Sequence, residues 1–102
     1  PAYRFTVENT VYLHPDQQGK NIARPLLQRV IDECTARGYR QMIAVIGDSD
    51  NHASIRFHEK IGFRHAGLIE SIGWKAGRWL DSVIMQLALG PGNTTPPQEK
   101  QD

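Results

Sequence analysis

A chain of 102 residues leaves room for one domain, and its 12 Lys and Arg against 11 Asp and Glu give a formal net charge of +1. A balance this even argues against nucleic acid as the main partner, because counterion release needs clustered Lys and Arg. No apolar run approaches the length of a membrane span and no signal-peptide pattern is visible, so no membrane partner is expected. The single Cys34 cannot close an internal disulfide and lies at an apolar helical position, which points to a reducing cytoplasm and to a small buried hydrophobe rather than a nucleophile.

The chain opens at Pro1 without an initiator Met, and alternation begins almost at once, as expected of a portion of a longer protein. Tyr3, Phe5, Val7, Val11 and Leu13 take odd positions, with Asn9 the exception, while Arg4, Thr6, Glu8, Thr10 and Tyr12 take the even ones. This period of two predicts a strand over Tyr3–Leu13, ended by His14-Pro15-Asp16. Ile22, Leu26, Leu27, Val30, Ile31 and Cys34 then follow helical spacing, with Pro25 near the helix start and Gly38 just past its end.

Gln41–Ile46 is nearly continuous in apolar residues and predicts a strand covered on both faces. Gly47-Asp48-Ser49-Asp50-Asn51 is a turn with capping side chains, followed by a helix over His52–Ile61 that Gly62 closes. Two further strands are expected at Phe63–Ile72 and Trp79–Leu89, joined as a hairpin by a turn over Gly73–Gly77. Gly90–Asp102 is rich in Pro, Gly and polar residues and reads as a flexible tail, leaving 1–89 as the folded part. The fold class is therefore α/β (α+β), with helices packed on a mixed sheet.

Gln18-Gly19-Lys20-Asn21-Ile22-Ala23 lies between a strand and an amphipathic helix, where free backbone N–H groups and the helix dipole favour a phosphate, with Lys20 and Arg24 adding charge. Alone it is equally an ordinary turn before a helix, since it lacks the P-loop and Rossmann spacings. Farther on, Asn51, Ser54, His58, Gly62 and Phe63 form N-x-x-S-x-x-x-H-x-x-x-G-F, with Ser54 and His58 on one helix face. His52 and His58 fall on different faces and no cysteine or acidic pair completes a ligand set, so no metal is expected.

These two segments together resemble the GNAT superfamily of N-acetyltransferases. Thr6-Val7-Glu8-Asn9-Thr10-Val11-Tyr12-Leu13, Ala53-Ser54-Ile55-Arg56-Phe57-His58 and Gly77-Arg78-Trp79-Leu80-Asp81 are similar to its phosphinothricin/methionine-sulfoximine branch. The resemblance implies a GNAT-like sheet whose N-terminal strands and helices are missing here. Acetyl-CoA is then the cosubstrate, its pyrophosphate held by Gln18, Gly19, Lys20, Asn21, Ile22, Ala23 and Arg24. Its pantetheine would meet Asn51 and Ser54 and the backbone of Val11, Tyr12 and Leu13, which would also polarise the thioester carbonyl. Asn21 stands where the loop usually has Gly.

In the same resemblance Glu8 is the general base, and Glu8, Asn9 and Thr10 face a small-molecule amine. His58 replaces the usual Tyr near the thioester sulfur as a proton donor or relay. Read without the resemblance, Glu8 is an exposed strand carboxylate and His58 a histidine satisfied by its own helix. Trp74, Arg78 and Trp79 would shape a pocket or subunit interface, or simply pack a hairpin. The expected reaction is direct acetyl transfer to the amine of an amino-acid analogue. Other amines (an antibiotic, a polyamine, a protein N-terminus) and a CoA-binding but inactive fragment are the alternatives. The unpaired edge of the first strand points to a homodimer or to association with the missing N-terminal half.

Overall fold

The structure is a computed structural model that describes residues 3–9 and 23–97. Its elements run β1 (Thr6–Asn9), α1 (Ala23–Ala36), β2 (Gln41–Ile46), α2 (His52–Ile61), β3 (Arg64–Lys75) and β4 (Arg78–Ala88). They form one mixed sheet in the order β1-β2-β4-β3, with β1 parallel to β2 and the other pairs antiparallel. The mixed sheet and two helices agree with the expected class.

Register explains where the core sits. Met42, Ala44 and Ile46 of β2 lie opposite Leu87, Met85 and Val83 of β4, and Val7 of β1 lies beside Met42. Partners in register share a face, so these side chains form one apolar surface. Leu27 and Ile31 of α1 join that surface in a single buried cluster, together with Phe63 and Leu89. The continuous apolar run of β2 suggested cover on both faces, but only Met42, Ala44 and Ile46 are buried; Gln41, Ile43 and Val45 remain half-exposed.

The helices fall close to their expected places. Pro25 lies in the first turn of α1, where backbone N–H groups have no intrahelical partner, so its ring costs little. Leu26 and Val30, expected on the apolar face, are exposed, whereas Leu27 and Ile31 are buried. At the end of α2, Gly62 has φ +122° and its N–H reaches the carbonyls of His58 and Glu59. That backbone conformation is one L-residues avoid, which is why glycine ends this helix.

The hairpin differs from its expected form. Its strands continue past Gly73, which pairs with Leu80, to Trp74 opposite Trp79 and Lys75 opposite Arg78. The turn is only Ala76-Gly77, with φ +53° and +77°, as a type I′ connection demands. The aromatic pair, with centroids 5.1 Å apart in an edge-to-face arrangement, extends the ladder through what composition marked as a loop. Between Ile69 and Gly73 the register shifts, and Ser71 takes φ +51°.

After β4 the chain turns back. The Arg40 guanidinium donates to the carbonyls of Gly92 and Thr95 at 2.9 Å and of Pro96 at 3.0 Å. Arg40 also donates its backbone N–H to Phe5 and accepts from Leu89. The described part of the expected tail is thus attached to the sheet.

Replacing Gly62 by Ala should destabilise the folded protein by about 1–2 kcal/mol, the cost of a positive φ for an L-residue. Replacing Ala76 by Asn, a residue suited to this turn, should instead raise stability by up to about 1 kcal/mol. Thermal denaturation of the two variants against the parent checks both signs.

Candidate functional site

Because β1 and β2 are parallel, the chain leaves both at the same end of the sheet. Glu8 and Asn9 of β1 lie beside Ile43 and Ala44. The turn after β2 leads straight into α2. Ala23 opens α1, whose first turn carries no acidic side chain, and exposed Arg24 follows it. Glu8 is exposed, and among the described residues no hydrogen bond or ion pair engages its carboxylate. The remaining expected contacts, Thr10, Val11, Tyr12, Leu13, Gln18, Gly19, Lys20, Asn21 and Ile22, lie outside the described residues.

The N-terminal half of α2 is set by its cap. Asn51 precedes the helix, and its Oδ1 accepts the backbone N–H of Ser54 at 3.2 Å. This satisfies one of the free first-turn donors and leaves the Asn51 amide nitrogen for another acceptor. One turn later, His58 Nδ1 lies 2.8 Å from the Ser54 carbonyl oxygen. A carbonyl only accepts, so Nδ1 carries the hydrogen and Nε2 presents its lone pair.

Both side chains are buried, Ser54 at 1% exposure and His58 at 0%. The His58 ring sits edge-on between Phe57 and Phe63, at 5.4 and 5.1 Å. Yet Ser54 Oγ and His58 Nε2 have no hydrogen-bond partner among the described residues. Buried polar atoms without partners are costly, so these two stand out in an otherwise apolar interior. Burial holds the imidazole below its ordinary pKa, opposed by the Ser54 hydrogen bond, so His58 is neutral around pH 7.

A second feature escaped the sequence reading. The turn before α2 is tied to the hairpin by Arg78, which reaches Asp48 Oδ2 at 2.9 Å and Asp50 Oδ2 at 3.2 Å. Asp81 adds two bonds: its carbonyl accepts the Ser49 N–H, and its Oδ1 accepts the Ser71 N–H inside the register shift. The Gly77-Arg78-Trp79-Leu80-Asp81 segment was the available signal, but its partners are distant in sequence and no local spacing points to them. Among the described residues, no group of three or more His, Cys, Asp and Glu could hold a metal ion.

The tautomer and burial of His58 give a pH signature. Its folded pKa lies below the ordinary histidine value of 6.5, so below about that pH the unfolded chain binds more protons than the folded one. The contribution of neutral His58 is complete above pH 6.5 and is lost as pH falls from there toward the folded pKa. Denaturation of the full-length protein across this range should show declining stability. A His58→Gln variant should lack that component.

A profile of the acetyltransferase (GNAT) family matches residues 2–63. The chain is 47% identical over 97 residues to a phosphinothricin N-acetyltransferase of Alcaligenes faecalis, covering 95% of this chain and 49% of that protein. It is 48% identical over 88 residues to an L-methionine sulfoximine/L-methionine sulfone acetyltransferase of Salmonella typhimurium, covering 86% and 51%. Among solved structures, a GNAT superfamily phosphinothricin acetyltransferase from Sinorhizobium meliloti, in complex with acetyl-CoA, superposes with a TM-score of 0.86 at 49% identity, over 96% of this chain and 52% of that one. The chain spans about half the length of the relatives it matches. With that family match, and with the sheet order, capped helix and buried polar face described above, the chain belongs to the GNAT acetyltransferase family.

Proposed function

We propose that this chain serves an N-acetyltransferase that moves the acetyl group of acetyl-CoA to the amine of a small amino-acid analogue of the phosphinothricin or methionine sulfoximine type. The observation that carries the reading is near-half identity, along almost the whole chain, to enzymes named for those substrates. The unpartnered Ser54 Oγ and His58 Nε2 beside a capped helix start support it, since they offer a cosubstrate polar atoms within an otherwise apolar wall.

In this reading the pyrophosphate rests on Gln18 to Arg24, at the start of α1. Glu8, exposed at the end of β1, takes a proton from the substrate ammonium, directly or through water. The freed nitrogen lone pair attacks the thioester carbonyl, whose developing negative charge is met by backbone donors along Val11–Leu13. The C–N bond forms, the C–S bond breaks and the thiolate takes up a proton. With its hydrogen on Nδ1, neutral His58 has no proton to give from Nε2. It must first accept one there, which makes it a relay rather than a standing acid. Asn9 and Thr10 continue the substrate-facing stretch beyond Glu8.

The same reading includes assembly and setting. Exposed Leu26 and Val30 on α1, and Leu68, Ile69, Ile72, Trp74 and Trp79 on the hairpin, are more apolar surface than a working monomer of this size leaves open. A homodimer, together with the rest of the fold that the longer relatives carry, covers it. The lone thiol of Cys34 suits the reducing cytoplasm.

Acetylation of an amino-acid panel by the full-length protein, with thiol release as readout, tests the activity. Phosphinothricin and methionine sulfoximine should lead the panel. Binding of acetyl-CoA without turnover of any amine would identify an inactive CoA-binding module instead. Glu8→Gln should lower kcat by roughly 10²–10⁴-fold, leave acetyl-CoA affinity nearly unchanged, and remove the acidic limb of the pH–rate profile. Asn21→Gly should tighten acetyl-CoA binding or leave it unchanged in calorimetry. A clear loss would assign Asn21 a contact of its own.

A further inference from the structure

We infer that Arg78 and Asp81 are positioning residues for the cosubstrate-facing end of α2, acting through the 48–51 turn on Asn51 and Ser54. The inference rests on the reading that acetyl-CoA lies against those two residues. Its physical basis is the division of labour within one carboxylate. Asp48 Oδ1 accepts the N–H of Asp50 at 2.9 Å and so shapes the turn from inside. Asp48 Oδ2 accepts from Arg78. The arginine therefore grips the same side chain that organises the turn, and its second nitrogen holds Asp50.

The turn transmits this grip to the helix. Asn51 N–H donates to the Asp48 carbonyl at 2.9 Å and His52 N–H to the Asp50 carbonyl at 2.8 Å. Asn51 Oδ1 in turn fixes the first-turn amide of Ser54. From the other side, Asp81 anchors Ser49 by its carbonyl and closes the register shift at Ser71 by its carboxylate. Hairpin and helix start are thus one connected hydrogen-bonded unit. Arg78 also offsets the charge of Asp48 and Asp50, which would otherwise stand uncompensated beside a site for a phosphate-bearing cosubstrate. The Arg78–Asp48 pair is partly exposed and the Arg78–Asp50 pair more so, so each contributes little to global stability; their effect is on where Asn51 sits.

The test uses the full-length protein and calorimetric titration with acetyl-CoA. Arg78→Ala should weaken binding about fivefold, the scale of two exposed ion pairs lost together. Arg78→Lys should recover only part of that loss, because an ammonium cannot fork to two carboxylates as a guanidinium does. Asn51→Ala supplies the readout that general loosening would not move. In that background Arg78→Ala should have less than about twofold effect, since the residue through which it acts is gone. Should Arg78→Ala fail to fold, Asp48→Asn keeps the side-chain shape and takes its place in the same cycle. Affinity unchanged in a folded Arg78 variant, or losses that simply multiply with that of Asn51→Ala, would overturn the proposal. A parent protein that binds no acetyl-CoA would overturn the functional reading and this inference together. One that binds it but acetylates no amine would count against the substrate assignment alone, and the cycle would still decide the role of Arg78.

Discussion

Everything in this fold hangs on the pairing of β2 with β4. Those strands occupy the middle of the sheet, and their shared face holds Met42 and Met85, both at 0% exposure, with Ala44, Ile46 and Val83 around them. A slip of one residue would turn all of these side chains to the other face, so burial and register enforce each other. On one flank β2 accepts β1 in parallel; on the other β4 carries β3. The site is a consequence of the same arrangement. Parallel β1 and β2 run toward the same side of the sheet, and the turn into α2 emerges there.

At that end the protein gives up some packing energy. Ser54 and His58 are polar residues in an apolar interior, each with one atom unsatisfied among the described residues, and apolar replacements of similar size would lower that cost. Their retention beside a helix start whose cap has a spare donor is the local inconsistency expected of a working site. The tautomer follows from the helix itself: the Ser54 carbonyl takes the Nδ1 hydrogen and so turns the basic nitrogen outward from the helix backbone. The hydrogen bond that satisfies one side of the ring leaves the other nitrogen with its lone pair free.

Much of this was legible in the chain, for reasons that differ by element. Helices α1 and α2 announce themselves by spacing and by Gly38 and Gly62, and Ser54 with His58 fell on one face because residues four apart must. The depth of that face was not legible, since periodicity says which side a residue takes but not what covers it. Leu26 and Val30 obeyed the pattern and are exposed all the same. Gly73 and Trp74 were assigned to a turn because glycine usually punctuates strands, whereas here the cross-strand tryptophan pair carries the ladder through. Arg78 and Asp81 could be noticed only as part of a family-like string, because their partners at 48–50 come close only in the folded chain.

Arg40 has a consequence for how the segment after β4 is to be handled. Its guanidinium is shared among three carbonyls of the segment that follows the last strand, while its own backbone bonds Phe5, just before β1, and Leu89, just after β4. A stop codon, a nick or a bulky fusion placed directly after Leu89 would therefore not trim an idle appendage. It would strip a half-buried cation of its acceptors directly before β2, an inner strand of the sheet. Expression boundaries and affinity tags belong beyond Pro97, where the clasp is already complete.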